Sequence, residues 1–283
     1  MDPDSAFEVS RGVAVVPHSI LRVHGADGTE TLDQLAVEEP LEIRLGGLAF
    51  TVTMRTPGAD EDLVAGLLHT EGLIRGADNL DVIARYRGTD GETDPGNVIN
   101  VLLKGDVQVA RERLRRSLVV SSACGVCGKV TIDSIKTACP PVVSDAAVPA
   151  GLFPRLLDSM AAAQSTFERT GGLHAAGLFT ATGDLVAVRE DVGRHNAVDK
   201  VIGDAVRADR VPRTGQVLVV SGRASFELTQ KAAMAGIPVL AAVSAPSSLA
   251  VELAREVGLT LVGFLRGDGC NVYTRPERIV LPD

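Results

Sequence analysis

From residue 149 onward the chain alternates between helix-type and strand-type patterns, and this alternation limits the folds open to it more than any other feature. A helix is expected from about Ala150 to Phe167. Strands Leu173–Thr180 and Asp184–Arg189 follow, joined by Thr182-Gly183. A helix over Arg194–Val206 sets Ala197, Val198, Val201, Ile202, Ala205 and Val206 on one apolar stripe. Gln216–Val220 is a continuous apolar run, as a strand covered on both faces requires. Then come a helix over Ser225–Ala235, strand Pro238–Val243, a helix Ser248–Val257 that Gly258 can end, strand Leu259–Phe264 and a short strand over Val272–Thr274. Such an order calls for an α/β, three-layer domain: a mixed, mostly parallel sheet with helices on its faces.

The first half reads differently. Residues 1–24 suggest strand–turn–strand, with Val13–Val16 and Ile20–Val23 as the apolar parts. Leu41–Arg44 and Leu48–Met54 flank Gly46-Gly47, a hairpin signal. After Pro57-Gly58 the positions Leu63, Val64, Leu67, Leu68 and Ile74 follow helical spacing, with His69 inside that helix as a packed or surface side chain rather than a ligand. Val98–Leu103 is a further strand, and Val107–Arg116 is a basic helix carrying Arg111, Arg113, Arg115 and Arg116. Residues 139–149 hold three prolines and mark the expected seam. The division expected is a smaller, mainly β N-terminal subdomain over 1–145 and the α/β domain over 146–283.

Composition narrows the function. With 28 basic and 36 acidic residues the formal charge is −8, which does not favour general binding to nucleic acid or an anionic membrane. Aromatic residues make up 3% and tryptophan is absent, so platforms for stacking bases are scarce. No apolar run approaches the roughly 18 residues of a membrane span. The N-terminus is acidic and polar without a signal-type apolar core, so the cytoplasm is the expected compartment.

The chemistry-bearing stretch is Ser117–Lys129, SLVVSSACGVCGK. Cys124 and Cys127 are flanked by glycine and serine rather than by the apolar neighbours of structural thiols. Gly125 and Gly128 loosen the backbone, and Lys129 supplies a cation that favours thiolate. A C-x-x-C pair points to redox, metal or sulfur chemistry. Cys139 and Cys270 bring the count to four, but they are singletons, and structural zinc normally takes two close pairs. No structural metal is expected.

A second site falls at the sheet edge, where open α/β sheets gather ligands beyond the carboxyl ends of their strands. Three such ends carry small polar loops: Ser221-Gly222-Arg223, Ser244-Ala245-Pro246-Ser247-Ser248, and Leu265-Arg266-Gly267-Asp268-Gly269. Two of them feed helix N-termini, whose free N–H groups bind phosphate. Arg223 and Arg266 can hydrogen-bond phosphate, and Asp268 can accept from an amino-bearing base such as guanine. Asp191, Arg194 and His195 are expected to open onto the same edge; His174 starts a strand after Gly171-Gly172 and reads as either a core or a functional histidine.

The order of elements is similar to the cytidine-deaminase-like fold, but without its chemistry. Where those enzymes place zinc ligands, this chain reads Asp191-Val192-Gly193-Arg194-His195 and Ser221-Gly222-Arg223-Ala224-Ser225, with no cysteine in either. Over residues 12–280 the chain resembles the FdhD family, sulfurtransferases needed to make active formate dehydrogenase. The resemblance rests on SSACGVCGK at 121–129, FERTGGLHAAGL at 167–178, EDVGRHNAVDKVIG at 190–203, SGRASFEL at 221–228, AVSAPSSLAVELA at 242–254 and VGFLRGDGCNVYT at 262–274. It implies a homodimer that takes sulfur from a cysteine desulfurase as a persulfide. The sulfur then passes to the molybdenum of the bis(molybdopterin guanine dinucleotide) cofactor for formate dehydrogenase. By the resemblance Cys124 and Cys127 carry the sulfur. Phe264, Leu265, Arg266, Gly267, Asp268 and Gly269 form the cofactor-binding stretch, supported at the edge by Ser221, Gly222, Arg223, His195 and Ser244, where a GDP-like nucleotide is also expected to fit.

Two rivals carry different expectations. A thiol–disulfide oxidoreductase should place C-x-x-C at a helix start directly after the first strand of a βαβ unit. Here Ala123 precedes the pair, which lies ahead of the α/β region. A non-enzymatic cofactor chaperone would bind the molybdopterin nucleotide and need neither thiol.

Overall fold

The computed structural model describes residues 12–86, 96–104 and 139–282. Cys124, Cys127, Lys129 and the basic run Arg111–Arg116 lie outside the described residues. In chain order the strands are β1 (Val15–His24), β2 (Asp27–Ala36), β3 (Glu39–Leu45), β4 (Leu48–Arg55), β5 (Leu80–Arg85), β6 (Val98–Leu103), β7 (Val148–Pro149), β8 (His174–Thr180), β9 (Leu185–Asp191), β10 (Gln216–Val220), β11 (Val239–Ala242), β12 (Thr260–Arg266), β13 (Gly269–Val272) and β14 (Ile279–Val280). The helices are α1 (Asp60–Thr70), α2 (Phe153–Ala162), α3 (Ser165–Thr170), α4 (Arg194–Arg207), α5 (Phe226–Met234) and α6 (Ser248–Val257).

Six strands form the central sheet in the order β13-β12-β11-β10-β8-β9. It is mixed, as expected, but parallel pairing joins only β10, β11 and β12. The β8–β9 hairpin on one side and the β12–β13 hairpin on the other are antiparallel, as is the β8–β10 pair, so "mostly parallel" overstates the case. For the two hairpins the physical reason is connection length: the short turns between β8 and β9 and between β12 and β13 leave no room for the crossover that a parallel pair requires.

Both faces of this sheet are covered, which is why β10 reads as an unbroken apolar run. Leu218, Val220, Leu240 and Leu261 share a core with the buried positions of α4, α5 and α6. Val217, Val219, Val239 and Val262 point the other way, against Phe153, Leu156 and Met160 of α2. The expected helix over 150–167 is in fact a single 3-10 turn at Ala150–Leu152 followed by α2 and α3, because Ala163-Gln164 breaks the run.

In the N-terminal part β4-β3-β6-β5 form a four-stranded sheet. Gly46 and Gly47, both at positive φ (58° and 83°), close the β3–β4 hairpin as their sequence predicts. Leu41, Ile43, Ile99 and Val101 belong to the same core as α4, α5 and α6, so one apolar core runs past the 145/146 boundary. The break expected between Val16 and Ile20 is absent. β1 runs unbroken through Pro17 and pairs with β2, a strand whose polar sequence gives no strand signal because most of the ribbon faces solvent on both sides.

The closest helix joint among the described residues is the crossing of α1 and α4. A Cβ added at Gly66 would overlap the carbonyl oxygen of Asp199, and one at Gly203 would overlap that of Asp62. The two backbones therefore meet with no side chain between them. Polar ties surround the joint. Asp199 accepts from Lys231 Nζ and Thr70 Oγ1 at 2.8 and 2.9 Å. Asp62 receives Arg189 at 3.0 Å and Arg207 at 2.6 Å.

A candidate ligand site at the sheet crest

Backbone hydrogen bonds stitch the carboxyl ends of β10, β11 and β12 to the start of β8. Ser221 N donates to Ala175 O at 3.0 Å, Ser244 N to Gly222 O at 3.3 Å, and Phe264 N to Ser244 O at 3.2 Å. Ala224 and Pro246 add a parallel bridge. The three loops singled out from the sequence are thus one continuous crest. Two of them owe their small polar residues to capping. Ser225 Oγ accepts from Leu228 N at the start of α5, and Ser247 Oγ accepts from Ala250 N at the start of α6. Gly263 has no room for a side chain, since a Cβ there would lie 2.9 Å from Pro246 Cδ.

The third loop is not a strand-to-helix connection. Arg266 pairs with Gly269, so Gly267-Asp268 is the two-residue turn of the β12–β13 hairpin, and β13 begins three residues earlier than expected. Gly267 supplies the positive φ such a turn needs, 55°. The register shifts between Gly263 and Arg266, and Phe264 within that bulge takes φ 53°, a strained value for an aromatic residue. The Phe264 ring is half-buried at the crest, with the Arg266 guanidinium 5.3 Å from its centroid. Phe264, Arg266, Asp268, Gly269, Cys270 and Asn271 line an open depression of about 410 Å³. Leu265 is fully buried in the α2-side core, so it offers the crest backbone only.

At the other end of the crest stand His174, Ser221, Gly222, Arg194 and His195. Ser221 Oγ accepts from Ala175 N at 2.9 Å and lies 3.5 Å from His174 Nδ1. Gly222 faces the His174 ring and Arg194 Cδ, which a Cβ at that position would meet at 3.7–3.8 Å. His195 Nε2 is 3.9 Å from Glu227 Oε2. Burial, with Lys231 and Arg194 as neighbouring cations, pulls His195 down to about 4, so its ring is neutral near pH 7. His174 is lowered by burial and by Arg194. Ser244 is half-buried at mid-crest, and Arg223 is exposed beside it.

Asp191 corrects the sequence reading. It was expected to open onto the edge, but it is fully buried. Oδ2 meets Lys200 Nζ at 2.7 Å and accepts from Thr56 N, while Oδ1 accepts from Gly193 N and Asn196 Nδ2. Its carboxylate is consumed in joining β9 to the turn after β4. His69 is structural as expected, with Nε2 3.1 Å from Met234 O. Cys139 and Cys270 are half-buried against separate cores. Among the described residues no three His, Cys, Asp or Glu side chains group as metal ligands.

Sequence reasoning missed Asn271 and Glu227. Asn271 would have followed from placing the hairpin turn on Gly267-Asp268, since it pairs with Gly263 across the ladder. Glu227 carries no sequence signal, because it meets His195 only through the packing of α4 beside α5.

The fold and crest define an α/β protein whose sheet edge is built from three stitched loops, and a solved structure shares the architecture. A crystal structure from Desulfotalea psychrophila, assigned as a formate dehydrogenase accessory protein, superposes with TM-score 0.75 at 25% identity, covering 95% of this chain and all of the other. The FdhD/NarQ family model matches residues 36–280, and the chain belongs to that family. Curated relatives named sulfur carrier protein FdhD include those of Nocardia farcinica, 53% identical over 92% of this chain and 93% of the relative, and Mycobacterium tuberculosis, 51% identical over 93% and 98%.

Proposed function

We propose that this chain is a cytoplasmic, homodimeric sulfur carrier. It receives sulfur from a cysteine desulfurase and delivers it to the bis(molybdopterin guanine dinucleotide) molybdenum cofactor destined for formate dehydrogenase. The observation that carries the reading is the C-x-x-C pair Cys124/Cys127 in a chain half identical to proteins named as sulfur carriers. The stitched crest supports the second half of the reading. It presents an aromatic ring, an arginine, a carboxylate and several helix starts along one edge, the groups a guanine dinucleotide needs.

The Cys124 thiolate attacks the outer sulfur of the donor persulfide, a new S–S bond forms, and the donor cysteine leaves as thiolate. Cys127 thiolate then attacks Cys124 Sγ. The outer sulfur departs as sulfide to the metal, the Cys124–Cys127 disulfide keeps the balance of electrons, and a dithiol reductant restores both thiols.

Intact-mass spectrometry after incubation with a cysteine desulfurase and cysteine tests this. Wild type should gain about 32 Da, one sulfur atom, and Cys124→Ala should not. Loss of about 2 Da on wild type without any gain would mark disulfide exchange instead. Support of the dehydrogenase by both cysteine variants would leave only a cofactor chaperone.

A further inference from the structure

One face of the β1–β2 ribbon is aliphatic and uncovered. Directly paired residues share a face, so Ser19, Leu21, Val23, Glu30 and Leu32 stand together. Leu21, Val23 and Leu32 are 63%, 60% and 66% exposed. The opposite face carries His18, Arg22, His24, Asp27 and Asp33 around a half-buried Ile20. Among the described residues, the chain meets the aliphatic face at its base. There a Cβ at Gly172 would lie 3.6 Å from Ala36 Cβ, and Arg169 Nη2 donates to Gln34 Oε1 at 3.5 Å. A two-stranded ribbon is at best marginally stable alone in water, and aliphatic side chains clustered on one open face mark a contact surface.

The ribbon's edges are less open than this face. Val37 N donates to Ala14 O at 2.9 Å, so by alternation the backbone nitrogens of Pro17 and Gln34 point away from the ladder. Pro17 has no N–H to offer, and that of Gln34 is taken by Asp33 Oδ1 at 2.9 Å. Pro17 and Gln34 are cross-strand partners, so both edges are blunted at one level. That favours packing face to face over the addition of a strand.

We propose that this face is the seam between two copies of the chain, with the two ribbons packed antiparallel about Leu32. The assignment rests on the homodimer reading and gives it a surface. A second copy is the occupant that the charges fit. Glu30 and Gln34 stand on this face two residues either side of Leu32, and Arg169 is held at Gln34. Neither Glu30 nor Arg169 has an ion-pair partner among the described residues. A two-fold axis at Leu32 lays β2 on its own copy in reverse, which sets Leu32 against Leu32 and each Glu30 beside the other copy's Gln34 and Arg169. Two chains of formal charge −8 repel each other overall, so their seam needs apolar contact and local opposite charges, and this face offers both.

Sedimentation velocity on the full chain, over a range of protein concentrations, tests the seam. Wild type should run as a dimer. Leu32→Glu puts two carboxylates on the axis and should raise the dimer dissociation constant about a hundredfold or more. Position 32 is exposed, so the variant's far-UV circular dichroism should match wild type. Glu30→Arg and Arg169→Glu should each weaken the dimer about tenfold, and the double variant should return to within about threefold of wild type. Loss of folding cannot produce that reversal. Val52→Glu, at an exposed aliphatic position on β4, should stay dimeric. A wild-type dimer that Leu32→Glu leaves intact, or charge variants that do not compensate, overturn the seam, leave the homodimer reading standing and free the face for a partner of another kind. A wild type that stays monomeric overturns the homodimer reading and the seam with it.

Discussion

Lys200 Nζ lies 2.7 Å from Asp191 Oδ2, and neither side chain reaches solvent. Removing one partner of such a pair strands a buried charge. Lys200→Met should therefore lower unfolding free energy by about 3–5 kcal/mol in urea titrations, and adding Asp191→Asn should recover part of the loss. His195 sets a pH dependence. The unfolded chain takes up this proton near 6.5 and the folded chain near 4, so between those values the unfolded state binds more protons. Stability thus falls as pH drops from 6.5 to 4, by about 1.4 kcal/mol per pH unit and on the order of 3 kcal/mol in all. His174 and His69, both lowered chiefly by burial, act in the same direction. His195→Gln should flatten the slope of urea midpoint against pH in this window, and an unchanged slope would place the acid sensitivity elsewhere. None of these pairings was legible in the sequence. Asp191 beside Gly193 and Arg194 reads as an exposed loop carboxylate until Lys200 and Thr56 are seen to close over it.

The crossing of α1 and α4 is the element-scale feature with the sharpest consequence. Gly203→Ala puts a methyl group where the Asp62 carbonyl oxygen sits, and the helices must separate. The expected cost is about 3 kcal/mol, seen as a lower melting temperature, whereas Gly215→Ala, with open space around it, should melt near wild type. Elements governed by local rules were readable in advance. β10 and α6 fall where their apolar pattern, capping serine and terminal Gly258 place them. Elements governed by exposure were not. β2 and β5 lack an apolar alternation because much of their surface stays in water. The FLRGDG stretch reads as a strand end followed by a polar loop, and only its pairing with β13 makes it a tight hairpin.

At the scale of the whole molecule, the N-terminal sheet and α1 share one apolar core with α4, α5 and α6, and the charged ties of Asp62, Thr56 and Thr70 cross between the two halves. The chain from Cys139 to Pro149 takes part in this union. Val142 N donates to Val257 O at 2.7 Å, and β7 pairs with β14 near the chain end. By itself the amino-acid order determined what local chemistry dictates: the α/β alternation, the capped helices, the thiol pair and the three polar loops. Those follow from periodicity, glycine, serine and cysteine read a few residues at a time. Only the tertiary structure decided that the loops form one stitched crest, that Asp191 faces inward, and that two glycines far apart in sequence bring two helices into backbone contact. Each of those facts depends on a partner from another element, as Gly222 with Ser244, Thr56 with Asp191 and Gly66 with Asp199 show, and no pattern within one segment records which group will occupy the space beside it.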